Sequence, residues 1–203
     1  MTSDVPDEVR TVLDARFAAR EKAISESRKV IRSAANGIRA LHRSELDQAE
    51  QLIAEAGERL ASIAGALAEN PELMSHGVVH DAEKEYAEAS ITQAVFARSA
   101  IPSFRDLGID PVPYLHGLGE AVGEMRRRML DLLREERLAD AEVMLTEMDD
   151  IVDQLAQVDY PDGMTNGLRR TTDISRSLVE RSRADLTATV VQERLRQELH
   201  QRT

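Results

Sequence analysis

Glu85-Tyr86-Ala87-Glu88 and Glu120-Ala121-Val122-Gly123-Glu124 place paired carboxylates at helical spacing. Residues three and four apart share one face of an α-helix, so Glu85 with Glu88 and Glu120 with Glu124 each offer two carboxylates in one direction. Oxygen donors of this kind suit hard divalent cations such as Mg²⁺. Acidic pairs are also frequent by accident here. With 37 acids in 203 residues, roughly one acid in three meets another at i+3 or i+4 by chance. The setting distinguishes these two pairs. Glu88 is followed by Ala89, Ile91, Ala94, Val95 and Phe96, and Glu120 lies among Leu115, Leu118, Ala121 and Val122. A carboxylate beside an apolar face needs a partner, and a cation is one.

Such carboxylates must be carried on rigid helices, and the composition provides for them. The chain is 42% hydrophobic and 31% charged, with 10 Gly and 6 Pro gathered in a few places, the profile of a single all-α domain over residues 1–203. Asp4-Val5-Pro6-Asp7-Glu8 is a helix start, with proline in the first turn and acids where the helix dipole favours them. A long helix follows to about Arg43. Ser44 with Asp47 reads as a capping box for a second helix. There Leu46, Ala49, Ile53, Ala56, Leu60, Ile63 and Leu67 alternate steps of three and four until Asn70-Pro71.

A third helix is predicted from about Val78 to Ala100, ending before Pro102, and Ser103 to Pro113 reads as a connection. The fourth, from about Pro113 to Glu136, carries the second carboxylate pair. A fifth spans about Leu138 to Asp159, Tyr160-Pro161-Asp162-Gly163 breaks the chain, and the last runs from about Asn166 to Gln201. Most of these helices far exceed the ~11–12-residue mean, which predicts an elongated up-and-down bundle of about six helices that self-associates. Met125, Met129, Met144 and Met148 fall on helical spacings as core filler. Arg169 with Asp173 and Arg176 with Glu180 are i,i+4 pairs.

Net charge is −11, and only Lys22, Lys29 and Lys84 are lysines among 26 basic residues. The bulk surface therefore repels nucleic acid, and a nucleic-acid binder of this charge must concentrate its arginines. Arg28, Arg32, Arg39 and Arg43 do so: on a helix they fall within an arc of about 60°, beside Ile24, Ile31, Ala35 and Ile38. A stripe of forked donors at the margin of an apolar face can track phosphates, although taken alone a solvated face is the plainer reading. With only 3% aromatic residues, sheet-type stacking platforms are missing, so binding is expected to follow the backbone. There is no cysteine, which leaves oxygen or histidine as metal ligands. No run of 18 apolar residues occurs, and Met1-Thr2-Ser3-Asp4 does not open a basic-then-apolar leader. A cytoplasmic protein without a membrane span is the expectation.

Two other carboxylate enzyme classes fail on spacing. All-α nucleoside triphosphate pyrophosphatases resemble the first pair, but their second motif is Glu-x-x-Asp, whereas Gly123 and Arg127 follow Glu120 and Glu124 at +3. Di-iron bundles need Glu-x-x-His, and His80, His116 and His200 have Gly77, Pro113 and Gln197 three positions earlier. His116 and His80 lie near the two carboxylate pairs and stay outside the candidate site.

The arrangement as a whole resembles the translin and translin-associated factor X family. The likeness is carried by Glu85-Tyr86-Ala87-Glu88-Ala89, by the run Tyr114-Leu115-His116-Gly117-Leu118-Gly119-Glu120-Ala121-Val122-Gly123-Glu124-Met125-Arg126-Arg127, by Asp159-Tyr160-Pro161, and by Leu168-Arg169-Arg170-Thr171-Thr172-Asp173-Ile174-Ser175-Arg176. It covers about Ala23 to Leu195 in order. The resemblance implies an all-α subunit of a hollow, usually octameric, shell that binds single-stranded RNA and DNA, as a homo-oligomer or together with a paralogue. It further implies a Mg²⁺-dependent endoribonuclease site, with Glu85 and Glu88 as its first pair and Glu120 and Glu124 as its second. Glu120 stands where the family pattern uses Asp. The alternative within the same family is a non-catalytic single-strand-binding shell. Gly117, Gly119 and Gly123 then admit either an RNA strand or a neighbouring helix close to the second pair.

Overall fold

Long helices dominate because few residues interrupt them, and several end where the backbone turns left-handed, at Ser44, Arg98 and Glu136. The computed structural model describes residues 5–70 and 77–201; among them are eight helices and no strand. Two compact units, Met1–Tyr114 and Leu115–Thr203, are described in turn.

The first unit holds α1 (Val5–His42), α2 (Leu46–Ala66), α3 (Gly77–Phe96) and the single turn α4 (Phe104–Leu107). Asp7 and Glu8 occupy the first turn of α1, as the start signal requires; its Asp4, like the Pro71 stop, lies outside the described residues. Helix α1 packs on both α2 and α3 around Val30, Ala34, Ile38, Ala49, Ile53, Leu60, Val79 and Ile91, all buried. The α2 seam is buried as its spacing predicts, except Leu46, which is exposed at the first residue of the helix.

The expected Ser44–Asp47 capping box does not form. Ser44 has φ 60°, and the Glu45 N–H reaches back to the Ala40 carbonyl at 3.0 Å, so Ser44 closes α1 in a Schellman turn. Glu45 is the N-cap of α2, without a side-chain cap. Arg98 (φ 54°) ends α3 the same way, with Ser99 N–H on the Ala94 carbonyl at 2.9 Å. That stops the helix short of the predicted Ala100. A genuine capping box sits inside the predicted connection, where Ser103 and Asp106 bond reciprocally and start α4.

Ion pairs tie α1 to α2. Arg59 donates to Glu55 at 2.6 Å and to Glu26 at 3.0 Å, and Lys29 donates to Glu26 at 2.6 Å. Bonding to Lys29, and then to Arg59, holds the Glu26 carboxyl below its usual range. These pairs occupy the basic groups adjoining the arginine stripe.

The second unit carries α5 (Pro111–Arg134) from Leu115 onward, with α6 (Leu138–Ala156), the single turn α7 (Asp162–Thr165) and α8 (Leu168–Gln201). Met125, Met129, Met144 and Met148 are buried in its core, as their spacing predicts. The proposed i,i+4 pairs of α8 are replaced. Arg176 bonds Asp173 at 3.1 Å rather than Glu180, and Arg169 lies 3.8 Å from Asp159 rather than on Asp173. Helical side chains lean toward the N-terminus, which carries each arginine to an acid behind it. No helix of the described residues is long and apolar enough to cross a membrane.

Candidate metal and nucleic-acid site

Helix α3 positions the first carboxylate pair. Glu85 and Glu88 share a face and are half-buried, and Lys84 Nζ lies 3.5 Å from a Glu85 oxygen, both side chains 25% exposed. Tyr86, one of the two residues between Glu85 and Glu88, points elsewhere. A Cβ added at Gly57 of α2 would lie 2.6 Å from the Tyr86 hydroxyl, so Gly57 gives the ring its seat against α2 and fixes the rotation of α3.

Helix α5 positions the second pair, and its motif residues are mostly the means of doing so. In the first unit, the Tyr114 hydroxyl donates to the Pro102 carbonyl at 3.0 Å; burial, and then the Asp106 charge, push its pKa up. In the second, His116 Nε2 donates to the Thr165 carbonyl at 2.9 Å, which leaves Nδ1 to accept from the Thr171 hydroxyl at 2.8 Å. With both ring nitrogens engaged, His116 is a bridge from α5 to α7 and α8. A Cβ at Gly119 would collide with the Thr171 methyl, and the Ser175 hydroxyl lies 2.9 Å from the Gly119 carbonyl. Gly119 therefore serves close packing of α8 on α5 beside Glu120. Gly123 has only an ordinary contact with Leu178.

Of the three arginines after Glu124, Arg126 donates to Ser182 at 2.8 Å and Asp185 at 2.7 Å, and Arg128 pairs with Glu135 at 3.1 Å. Arg127 is exposed. None of Glu85, Glu88, Glu120 and Glu124 lacks an interaction partner, consistent with carboxylates beside apolar faces.

All four arginines of the stripe, three on α1 and Arg43 just after its end, are exposed. Arg43 is forked onto Glu45 at 2.9 and 2.7 Å, which raises its pKa through that hydrogen bonding, and Arg39 donates to Asn36 at 2.6 Å. Arg28 and Arg32 make no hydrogen bond or ion pair among the described residues, so their guanidinium groups are the ones presented to solvent.

Sequence reasoning missed Glu83. It is 4% exposed and one of its oxygens has no hydrogen-bond partner. Burial pushes its carboxyl up to about 7, partly offset by the Asp110 N–H and reinforced by the Asp110 charge. The signal was present: Val79, Glu83, Ala87 and Ser90 follow steps of four, four and three, a buried seam.

No protein-family model matches the chain. The uncharacterised protein MJ0175 of Methanocaldococcus jannaschii is 30% identical over 184 residues, which span 90% of this chain and 81% of that protein. Among solved structures, the AfC3PO–duplex RNA complex is 31% identical with TM-score 0.85, covering 91% of this chain and 96% of that one. AfC3PO alone is 32% identical with TM-score 0.84 over the same shares. Apo-NeC3PO, at 17% identity and TM-score 0.81 over 93% of this chain and 98% of that chain, shares the fold.

Proposed function

The chain belongs to the translin family, and from that premise we propose that it binds RNA and cuts it with a Mg²⁺ ion held by Glu85, Glu88, Glu120 and Glu124. The observation that carries this reading is the coincidence of two things. A relative 31% identical over 91% of this chain is described in complex with duplex RNA, and α3 and α5 here each present a carboxylate pair at ligand spacing. The donor set fits the ion. All four ligands are hard oxygens, and Glu85, Glu88 and Glu120 can each offer one carboxylate oxygen to a metal.

When bound, the ion supplies a Lewis acid for a phosphate oxygen and lowers the pKa of water to make a nucleophile. The chain's own groups do the positioning. Gly57 and Tyr86 set the rotation of α3, and His116, Gly119 and Ser175 hold α5 against α8, so that the carboxylates are pre-placed rather than recruited. Lys84 beside Glu85 offsets some of the negative charge that a phosphate meets. Arg28 and Arg32, followed by Arg39 and Arg43, supply donors for the backbone of single-stranded RNA or DNA.

A non-catalytic binder is the second reading, favoured by the fact that the solved relative is described with its RNA as a complex. The apolar side chains Val9, Leu13 and Phe17 of α1 and Val191, Leu195 and Leu199 of α8 are all exposed at i,i+4 spacing. They support self-association, for which the family suggests a shell of eight copies or one shared with a paralogue.

The test is cleavage of end-labelled single-stranded and duplex RNA with Mg²⁺ against EDTA. Metal-dependent cutting supports the nuclease; RNA retained whole supports the binder. In the same retention assay, changing Arg28 and Arg32 together to Ala should weaken binding and lower the salt slope by roughly one to two. An unchanged slope would assign the phosphate contacts to another surface.

A further inference from the structure

On the first unit, α2, α3 and the chain that follows α3 as far as Leu107 line an open groove of about 440 Å³ that the metal site does not use. Tyr86, Ser90, Gln93 and Ala94 line it from α3, and Glu50 and Ile53 from α2. At 100° per residue these α3 positions span an arc of about 100° centred on the side of the helix opposite Glu85 and Glu88. The groove is therefore separate from the carboxylate pair.

Its polar groups are idle. Ser90 is 7% exposed, and its hydroxyl is buried with no hydrogen-bond partner. The Glu50 carboxylate, the Tyr86 hydroxyl and the Gln93 amide make no hydrogen bond or ion pair among the described residues either. Half-buried Tyr86 and Gln93 and exposed Glu50 thus line the groove with three polar ends that have no protein partner, beside the apolar Ile53 and Ala94, the composition of a small-molecule site.

We propose that this groove binds a nucleobase carrying an exocyclic amino group, stacked on Tyr86 and read by Gln93 and Glu50. The chemistry follows from the donors present. An aromatic ring is the general platform for an unstacked base. A glutamine amide offers the donor and acceptor pair that matches the adenine edge, and a carboxylate accepts from the amino group of cytosine or adenine. Uracil lacks that amino group and leaves Glu50 unmatched. Glu50 disfavours phosphate, so the base and not the backbone is the recognised part. The base can come from a free nucleoside or from an unstacked position of a bound RNA strand; only the second source rests on the RNA-binding reading above.

The experiment is calorimetric titration of the full chain with adenosine, cytidine and uridine in EDTA, paired with filter retention of oligoadenylate and oligouridylate. The nucleosides carry no phosphate and the buffer no metal, so neither the arginine stripe nor the carboxylate site contributes. Adenosine and cytidine should bind at least about fivefold more tightly than uridine. Gln93→Ala and Glu50→Ala, at half-buried and exposed positions on the groove wall, should each remove that preference while the melting temperature stays unchanged. A preference seen also in the oligonucleotides assigns the groove to bases of the strand; a preference confined to nucleosides assigns it to a free ligand. Absence of saturable nucleoside binding, or equal binding of all three that Gln93→Ala leaves intact, overturns the proposal. Loss of RNA retention with nucleoside binding preserved would count against the RNA reading alone.

Discussion

Glu88→Gln and Glu120→Gln should each lower Mg²⁺-dependent RNA cleavage at least about a hundredfold while leaving RNA retention and melting temperature unchanged. Glutamine keeps the volume and one oxygen but removes the charge that a hard cation requires. Removing a negative charge from the site does not weaken its attraction for phosphate, so cleavage and retention separate. The two positions lie on different helices, α3 and α5, and an equal loss in both variants indicates that one ion depends on both helices. Variants that fail to fold would make the carboxylates structural, and variants that cut normally would remove them from the reaction. Either result leaves the binder.

The second large effect is on stability and comes from Glu83. Its carboxyl is pushed up to about 7 by burial against an ordinary value near 4.3. The sign follows from proton linkage. Below about pH 4 the carboxyl is neutral in both states and costs nothing. Between there and pH 7 the unfolded chain releases the proton and the folded one keeps it, so stability falls as pH rises. Above pH 7 the full penalty applies, on the order of 4 kcal/mol at about 1.4 kcal/mol per pKa unit. Glu83→Gln keeps the shape without the charge. Its melting temperature should exceed that of the parent at pH 8 and converge with it near pH 4. Equal curves at both pH values would mean that water or a cation reaches the carboxylate.

What the sequence made legible was whatever repeats. The α2 seam, the methionine spacing and the six long helices all follow from periodicity, which burial enforces over many turns. Local hydrogen-bond choices were not legible, because several partners compete for each group. Ser44 suits an N-cap by type, yet its backbone is taken up in ending α1, where it adopts φ 60°. Arg176 has acids on both sides, and the tilt of helical side chains selects Asp173. The motif around Glu120 illustrates the same limit. His116 and Gly119 stand near the carboxylates in sequence, but only the positions of Thr165, Thr171 and Ser175 show that they hold helices together. The idle polar groups of the α2–α3 groove were equally out of reach, since Glu50 and Gln93 are distant in sequence and each looks like an ordinary surface residue.

Titration of metal-free protein with Mg²⁺ by calorimetry tests, without reference to activity, whether carboxylates of α3 and α5 jointly hold a divalent cation. Saturable binding is expected in the parent chain, and its loss in both Glu88→Gln and Glu120→Gln. Saturable binding that survives either substitution, or none in the parent at millimolar Mg²⁺, would contradict that joint site.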